Sequence, residues 1–199
     1  MAEADTAIPP TQLAADGLLL RPYREDDAPA LLDAARESVA SVGRWLPWCH
    51  AAYAETDAAA WIVHCTRAWV CGDQYTFAIF DTRESPRFLG AVGLSHRVRK
   101  HNLASIGYWI RDSARGRGVA ARAGRVIAAF GFDTIKLTRI EIVAAVDNRA
   151  SRRTAEAIGA RFEGVARNRL CTSRGIVDAA VYALIPSDYA DMQMRAISS

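Results

Sequence analysis

At 199 residues, 51% hydrophobic and 24% charged, the chain has the length and balance of one compact α/β domain with a sizeable core, and a disordered chain is excluded. Its formal net charge of +3 is too small to argue for nucleic acid by itself, and charged residues interrupt every apolar run well short of the ~20 residues that span a bilayer. The acidic start Met1-Ala2-Glu3-Ala4-Asp5 lacks an apolar h-region, and Cys49, Cys65, Cys71 and Cys171 form no C-x-x-C pair, so a reduced, cytoplasmic protein is expected.

Residues 1–16 hold Pro9-Pro10 and no hydrophobic period, and read as a flexible leader to a single domain over 17–199. The run 17–22 reads as a first strand stopped by Pro22. Asp26 or Asp27 can cap a helix to about Ser38, with Ala30, Leu31, Ala34 and Ala35 at helical spacing. Trp45-Leu46-Pro47-Trp48 is a hydrophobic loop, too short and proline-broken for a regular element. Thr56 or Asp57 then caps a second helix to about Val70, striped by Ala58, Trp61, Ile62, Cys65 and Trp69. Runs 75–80, 88–96 and 103–110 suit an antiparallel meander. A polar, arginine-rich turn over 111–118 precedes a helix marked by Val119, Ala123, Val126, Ile127 and Phe130. A strand over 139–146, a helix over 151–158 closed by Gly159, and strands over 161–166 and 177–185 complete the order βααβββαβαββ. That order predicts an α/β (α+β) fold with a mixed, mostly antiparallel sheet of about seven strands and helices on both faces.

The informative segment is 106–120, a strand followed by an Arg- and Gly-rich loop and a helix start. Backbone N–H groups at a helix N-terminus have no intrahelical partner, and glycine lets the main chain approach a phosphate closely. Arg115, Arg117 and Arg122 would add charge around such a cradle. The plainer reading is a solvated basic loop with two flexible glycines. A G-x-x-x-x-G-K-[ST] loop is absent, and so is the G-x-G-x-x-G of dinucleotide folds.

Arg115-x-x-Gly118-x-Ala120 matches the [QR]-x-x-G-x-[GA] signature, and the chain resembles the GNAT acyltransferase superfamily. Trp45-Leu46-Pro47-Trp48, Gly107-Tyr108-Trp109-Ile110, Asn148-Arg149-Ala150-Ser151 and Phe162-Glu163-Gly164 resemble the RimJ/RimL-like branch that acetylates ribosomal-protein N-termini. The resemblance runs from about Leu18 to Ile185. It implies a fourth strand, here 103–110, that carries a bulge and splays from the fifth, here 139–146. It implies acetyl-CoA as cosubstrate, with Trp109 and Ile110 pairing with the pantetheine arm and their N–H groups facing the thioester carbonyl. Arg115, Gly116, Arg117, Gly118, Val119 and Ala120 would hold the pyrophosphate. Asn148 would bind the arm besides its ordinary role as a cap. Ser151 would protonate the leaving thiolate, since Ala155 stands where many relatives carry a tyrosine.

The base has no clear owner. Ser105 and Ile106 occupy the region where many relatives carry a glutamate. His96 and His101 are candidates through water, or are simply solvated; Glu141 and Glu163 are further options, or pair with arginine. Neither His50 nor His64 has a ligand at metal spacing, so no metal is expected. The acceptor is then a peptide or protein α-amine, whose pKa of about 7.7–8.0 makes it partly neutral without a strong base, against about 10.4 for lysine. Alternatives are a small amine such as an antibiotic or an aminoacyl nucleotide, a larger acyl group such as succinyl, and a non-catalytic acyl-CoA sensor. A nucleic-acid module built on arginines near 97–100, 115–125 and 149–153 is also weighed, but CoA phosphates explain those groups with fewer assumptions. Neither nucleic acid nor membrane is expected as a partner, and the chain is read as a monomer or homodimer. The wall of the acceptor pocket is assigned to the loop 45–48 and the second helix.

Overall fold

The structure, a computed structural model, describes residues 12–83 and 86–197. The reading of residues 1–11 as a leader lies outside them. Strands β1 (Leu13–Ala15) and β2 (Leu18–Pro22) lead to helices α1 (Ala28–Glu37) and α2 (Glu55–Cys71). The meander β3 (Tyr75–Asp81), β4 (Arg87–Val98) and β5 (Leu103–Ile110) follows, then α3 (Val119–Ala129), β6 (Arg139–Ala145) and α4 (Arg149–Ile158). Strands β7 (Arg161–Thr172) and β8 (Gly175–Leu184) and helix α5 (Pro186–Ile197) close the chain. One eight-stranded sheet has the order β1-β2-β3-β4-β5-β6-β8-β7. Its neighbours are antiparallel except β5 and β6, which run parallel. Among the described residues no helix is long and apolar enough to cross a membrane.

The sheet has one strand more than expected. Residues 13–15, read as part of the leader, pair with β2 through a hairpin whose turn residues Asp16 and Gly17 have φ of 39° and 78°. A two-residue turn with positive φ at both positions matches the twist of antiparallel strands, and Asp-Gly is a preferred sequence for it. Helix α2 begins at Glu55, and Asp57 caps it from inside the first turn, its carboxylate accepting the Ala54 N–H at 2.8 Å. Gly72 ends α2 in the left-handed region, as the sequence indicates.

Strand alternation builds two cores on opposite faces of the sheet. Tyr75, Phe77 and Ile79 of β3 face the core shared with α3 and α4, where Ile127 and Ile158 are fully buried. Ala78 and Phe80 face the other way, onto Leu31 of α1 and Ala58, Ile62 and Cys65 of α2. Between β5 and β6 the sheet opens. They pair only at Leu103–Ser105 with Arg139–Glu141, yet β5 stays paired to β4 as far as Ile110 and β6 to β8 as far as Ala145. The splay implied by the resemblance is therefore present. The bulge is elsewhere: register between β4 and β5 is continuous from Ser105 to Ile110, and the irregularity lies at Ser95–Val98.

Candidate active site

A cleft of about 1130 Å³ passes through this opening. On the α3–α4 side its wall is mostly main chain and small residues. Gly116 and Gly118 have φ of 74° and 69°, and the space that a Cβ would occupy at either is open. That is the form of a cradle for an approaching anion, because side chains other than glycine rarely adopt this backbone. Gly118 is the N-cap of α3, so the first N–H groups of Val119, Ala120 and Ala121 lack intrahelical partners, and these residues line the cleft. Across the opening, Asn148 caps α4 by accepting the Ser151 N–H at 3.1 Å.

The loop between β5 and α3 is held from behind. Arg111, 6% exposed, donates to Glu37 (2.9 Å), Asp33 (2.7 Å) and the Phe88 carbonyl (3.2 Å). Glu37 also accepts the Ser113 N–H. The Arg111 guanidinium and the Ser113 N–H hold the Glu37 carboxyl at about 2, below its ordinary 4.5. Helix α1, on the far face, thus pins the turn that precedes the glycines.

At the throat, Tyr108 reaches from β5 to α4. Its hydroxyl donates to the Ser151 carbonyl at 2.8 Å and lies 3.0 Å from the Ser151 hydroxyl. Burial pushes the Tyr108 phenol up to about 12, so it stays protonated near neutrality. The Arg111 N–H donates to the Leu89 carbonyl at 2.8 Å. With the two-residue period of a strand, this turns the Trp109 amide toward β4, against the expectation that its N–H faces the thioester, and leaves the Tyr108 and Ile110 N–H groups facing the gap.

On the α1–α2 side the wall is aromatic. Trp48 packs edge-on against Trp109 and Tyr53, at centroid distances of 5.2 and 5.5 Å. Trp61 stacks on His64 at 5.4 Å, and His50 lies edge-on to Tyr53 at 6.3 Å. Trp45, Leu46 and Pro47 continue the wall, and Asp57 also reaches it.

Residues 17–161 match the profile of the acetyltransferase (GNAT) domain. The chain belongs to the GNAT acetyltransferase family. A Bacillus subtilis (strain 168) protein, YdaF, provisionally named a ribosomal N-acetyltransferase, is 33% identical over 100 residues, which are 50% of this chain and 55% of YdaF. A second B. subtilis relative, YjcK, named a probable N-acetyltransferase, is 32% identical over 58% of this chain and 64% of its own length. The matches thus span between half and two thirds of these two curated relatives. A Vibrio cholerae structure, provisionally named a ribosomal-protein-serine acetyltransferase, is 29% identical with a TM-score of 0.79, covering 90% of this chain and 100% of that one.

Within this GNAT domain the expected cofactor residues Trp109, Ile110, Arg115, Gly116, Gly118, Val119, Ala120, Asn148 and Ser151 all line the one cleft. Arg117 is exposed and does not line it. Arg115 does, while pairing with Asp112 at 2.8 Å. His96 and His101 are not brought to the cleft. His96 lies beside it, its Nδ1 3.0 Å from the hydroxyl of the lining residue Ser95, and His101 is exposed in the turn before β5. Glu141 and Glu163 both pair with Arg139, and neither lines the cleft. The histidines that do line it are His50 and His64. No spacing signal marked them as a site; His64 lies in the second helix assigned to the acceptor wall, and His50 lies outside both segments assigned to it.

Proposed function

We propose that this chain transfers an acetyl group from acetyl-CoA to a primary amine, with the α-amine of a protein or peptide N-terminus as acceptor. The observation that carries the proposal is one cleft through the splayed β5–β6 pair, with a main-chain anion cradle on one face and an aromatic wall on the other. Two reactants approaching from opposite faces would meet at the throat. The names of the YdaF and V. cholerae relatives support a protein acceptor.

In this account the N–H groups of Gly118, Val119 and Ala120 and the positive end of α3 bind the pyrophosphate of CoA. The pantetheine arm lies in the gap, where Ile110 and Tyr108 offer unpaired main-chain groups. The amine nitrogen attacks the thioester carbon, the C–S bond breaks, and the electron pair leaves on sulfur. A fixed N–H facing the carbonyl oxygen is worth about 3 kcal/mol in the transition state, when that oxygen becomes negative. Ser151 delivers a proton to the thiolate and takes one back from water, while Tyr108, its hydroxyl 3.0 Å from that of Ser151, positions it. The proton lost by the amine passes through water toward His50 or His64, the histidines on the acceptor wall. A partly neutral α-amine asks little of that base.

Acetyl-CoA turnover across a panel of free peptides and small amines, with thiol release as readout, tests this. Release that depends on a peptide with a free N-terminus is expected. Release with small amines alone would replace the peptide acceptor, and thioester binding without release under any condition would overturn the enzyme reading.

A further inference from the structure

The rim of the aromatic half carries two unpaired arginines on one indole. The guanidinium carbons of Arg44 and Arg174 lie 4.8 and 5.4 Å from the ring centroid of Trp45. Arg44 belongs to the loop after α1, whereas Arg174 sits in the turn between β7 and β8. The turn is locked and pinned to the loop. Thr172 donates to the Gly175 carbonyl at 3.1 Å and accepts the Arg174 N–H at 3.2 Å, while Ser173 donates to the Arg44 carbonyl at 3.1 Å. Trp45 and Thr172 both line the cleft, so the two guanidiniums flank its mouth.

One feature separates this pair from ordinary surface arginines. Among the described residues Trp45 is the only ring that holds two guanidiniums. Like Arg117 and Arg153, Arg44 and Arg174 are exposed and make no ion pair within the described residues, so their charge is open to a ligand. Stacking fixes a guanidinium through its face and leaves its edge N–H groups free to donate. Two guanidiniums within 5.4 Å of one ring centroid bring two positive charges to one place, and a carboxylate within reach of both gains from each. Among the described residues Asp57 is the one acid that lines the cleft, and it accepts the Ala54 N–H.

We infer that Arg44 and Arg174 form an anion-recognition site at the cleft mouth that reads acidic side chains of the acceptor peptide a few residues after its N-terminus. The inference rests on the peptide acceptor proposed above. With the amine at the throat, the following residues leave over this rim, and an extended chain advances about 3.3 Å per residue. Carboxylates there meet edge N–H groups whose geometry suits them.

The test uses the full chain, saturating acetyl-CoA and two peptides with free α-amines. They differ only in carrying Glu or Gln at three consecutive positions downstream of the second residue. For the wild type the Glu peptide should have a KM lower by about tenfold at low salt, with kcat unchanged, and the gap should narrow as salt rises. The double variant Arg44→Gln, Arg174→Gln should bring the two KM values together, and Arg174→Glu should favour the Gln peptide. Equal KM values in the wild type would overturn the inference alone, as would variants that raise both by the same factor, since that is the mark of a pin between loop and hairpin. Turnover of neither peptide would overturn the peptide acceptor and the inference with it.

Discussion

The two halves of the cleft are made from different parts of the polypeptide. On the α3–α4 side the lining is main chain with glycine, alanine and one capped helix start; on the α1–α2 side it is large side chains from an irregular loop and a helix face. A main-chain site depends on a few positions that only certain residues can fill, so small substitutions there are severe. An aromatic wall spreads its contacts over many rings and owes its shape to tertiary packing. The first kind suits a constant ligand such as a cosubstrate, and the second suits an acceptor that differs among related enzymes. Substitutions on the two sides should therefore differ in their effects.

The largest effect is expected at Gly118. Gly118→Asp should weaken acetyl-CoA binding at least about tenfold by placing a carboxylate at the positive end of α3. Asp tolerates positive φ better than most residues, so calorimetry on the folded variant reads binding and not collapse. Unchanged affinity would put the phosphate site elsewhere. Ser151→Ala should lower kcat by about tenfold while barely moving the KM for acetyl-CoA, because thiolate protonation belongs to the transition state. Tyr108→Phe should act in the same direction but less, having removed only the group behind Ser151. Steady-state rates at saturating acetyl-CoA check both, and a wild-type kcat in Ser151→Ala would reduce that residue to part of the α4 cap.

The smallest effect lies at the joint between the halves, where Glu37 of α1 holds the turn before the glycines. Glu37→Gln should cost about 1 kcal/mol at pH 7, discounted because the carboxylate is partly exposed. Its carboxyl sits at about 2 in the fold against an ordinary 4.5. A depressed pKa gives stability that is complete above the unfolded value and lost as pH falls through the folded one. The gap between wild type and variant should therefore close as pH drops from about 4.5 toward 2. Urea unfolding at pH 7 and at steps down to pH 3 measures it, and a gap independent of pH would deny the Glu37–Arg111 pair that role.

How much was legible in the sequence follows the same division. The turn 115–120 could be read because left-handed glycines and a bare helix start need particular residues at fixed spacing. Asn148 could be read as a cap for the same reason. Helices α1 and α2 showed as apolar stripes, although Trp61 of the α2 stripe proved 37% exposed and lines the cleft instead of the core. Strand β1 was missed because three residues carry no period, although the Asp16-Gly17 turn was there to be read. Trp45 and His64 were legible only as members of the acceptor wall, and His50 was not legible at all. Trp45 sits beside Arg44, in an irregular loop whose Arg44 carbonyl is held by a hairpin more than a hundred residues later. The alternation of Tyr108 and Trp109 puts them on opposite faces, but only packing tells which one meets Ser151.

Whether the cleft brings an acetyl thioester and an α-amine together, as proposed, is decided by a paired-peptide assay. One peptide has a free N-terminus and no lysine; the other is blocked at its N-terminus and carries one lysine. Both are supplied with acetyl-CoA at equal concentration at pH 7.4, and fragment masses locate the product. The neutral fraction of an α-amine there is roughly a quarter, against about one in a thousand for lysine. The free N-terminus should be acetylated faster, by a margin that falls as pH rises toward the lysine pKa. Preferential acetylation of lysine at pH 7.4 would contradict it.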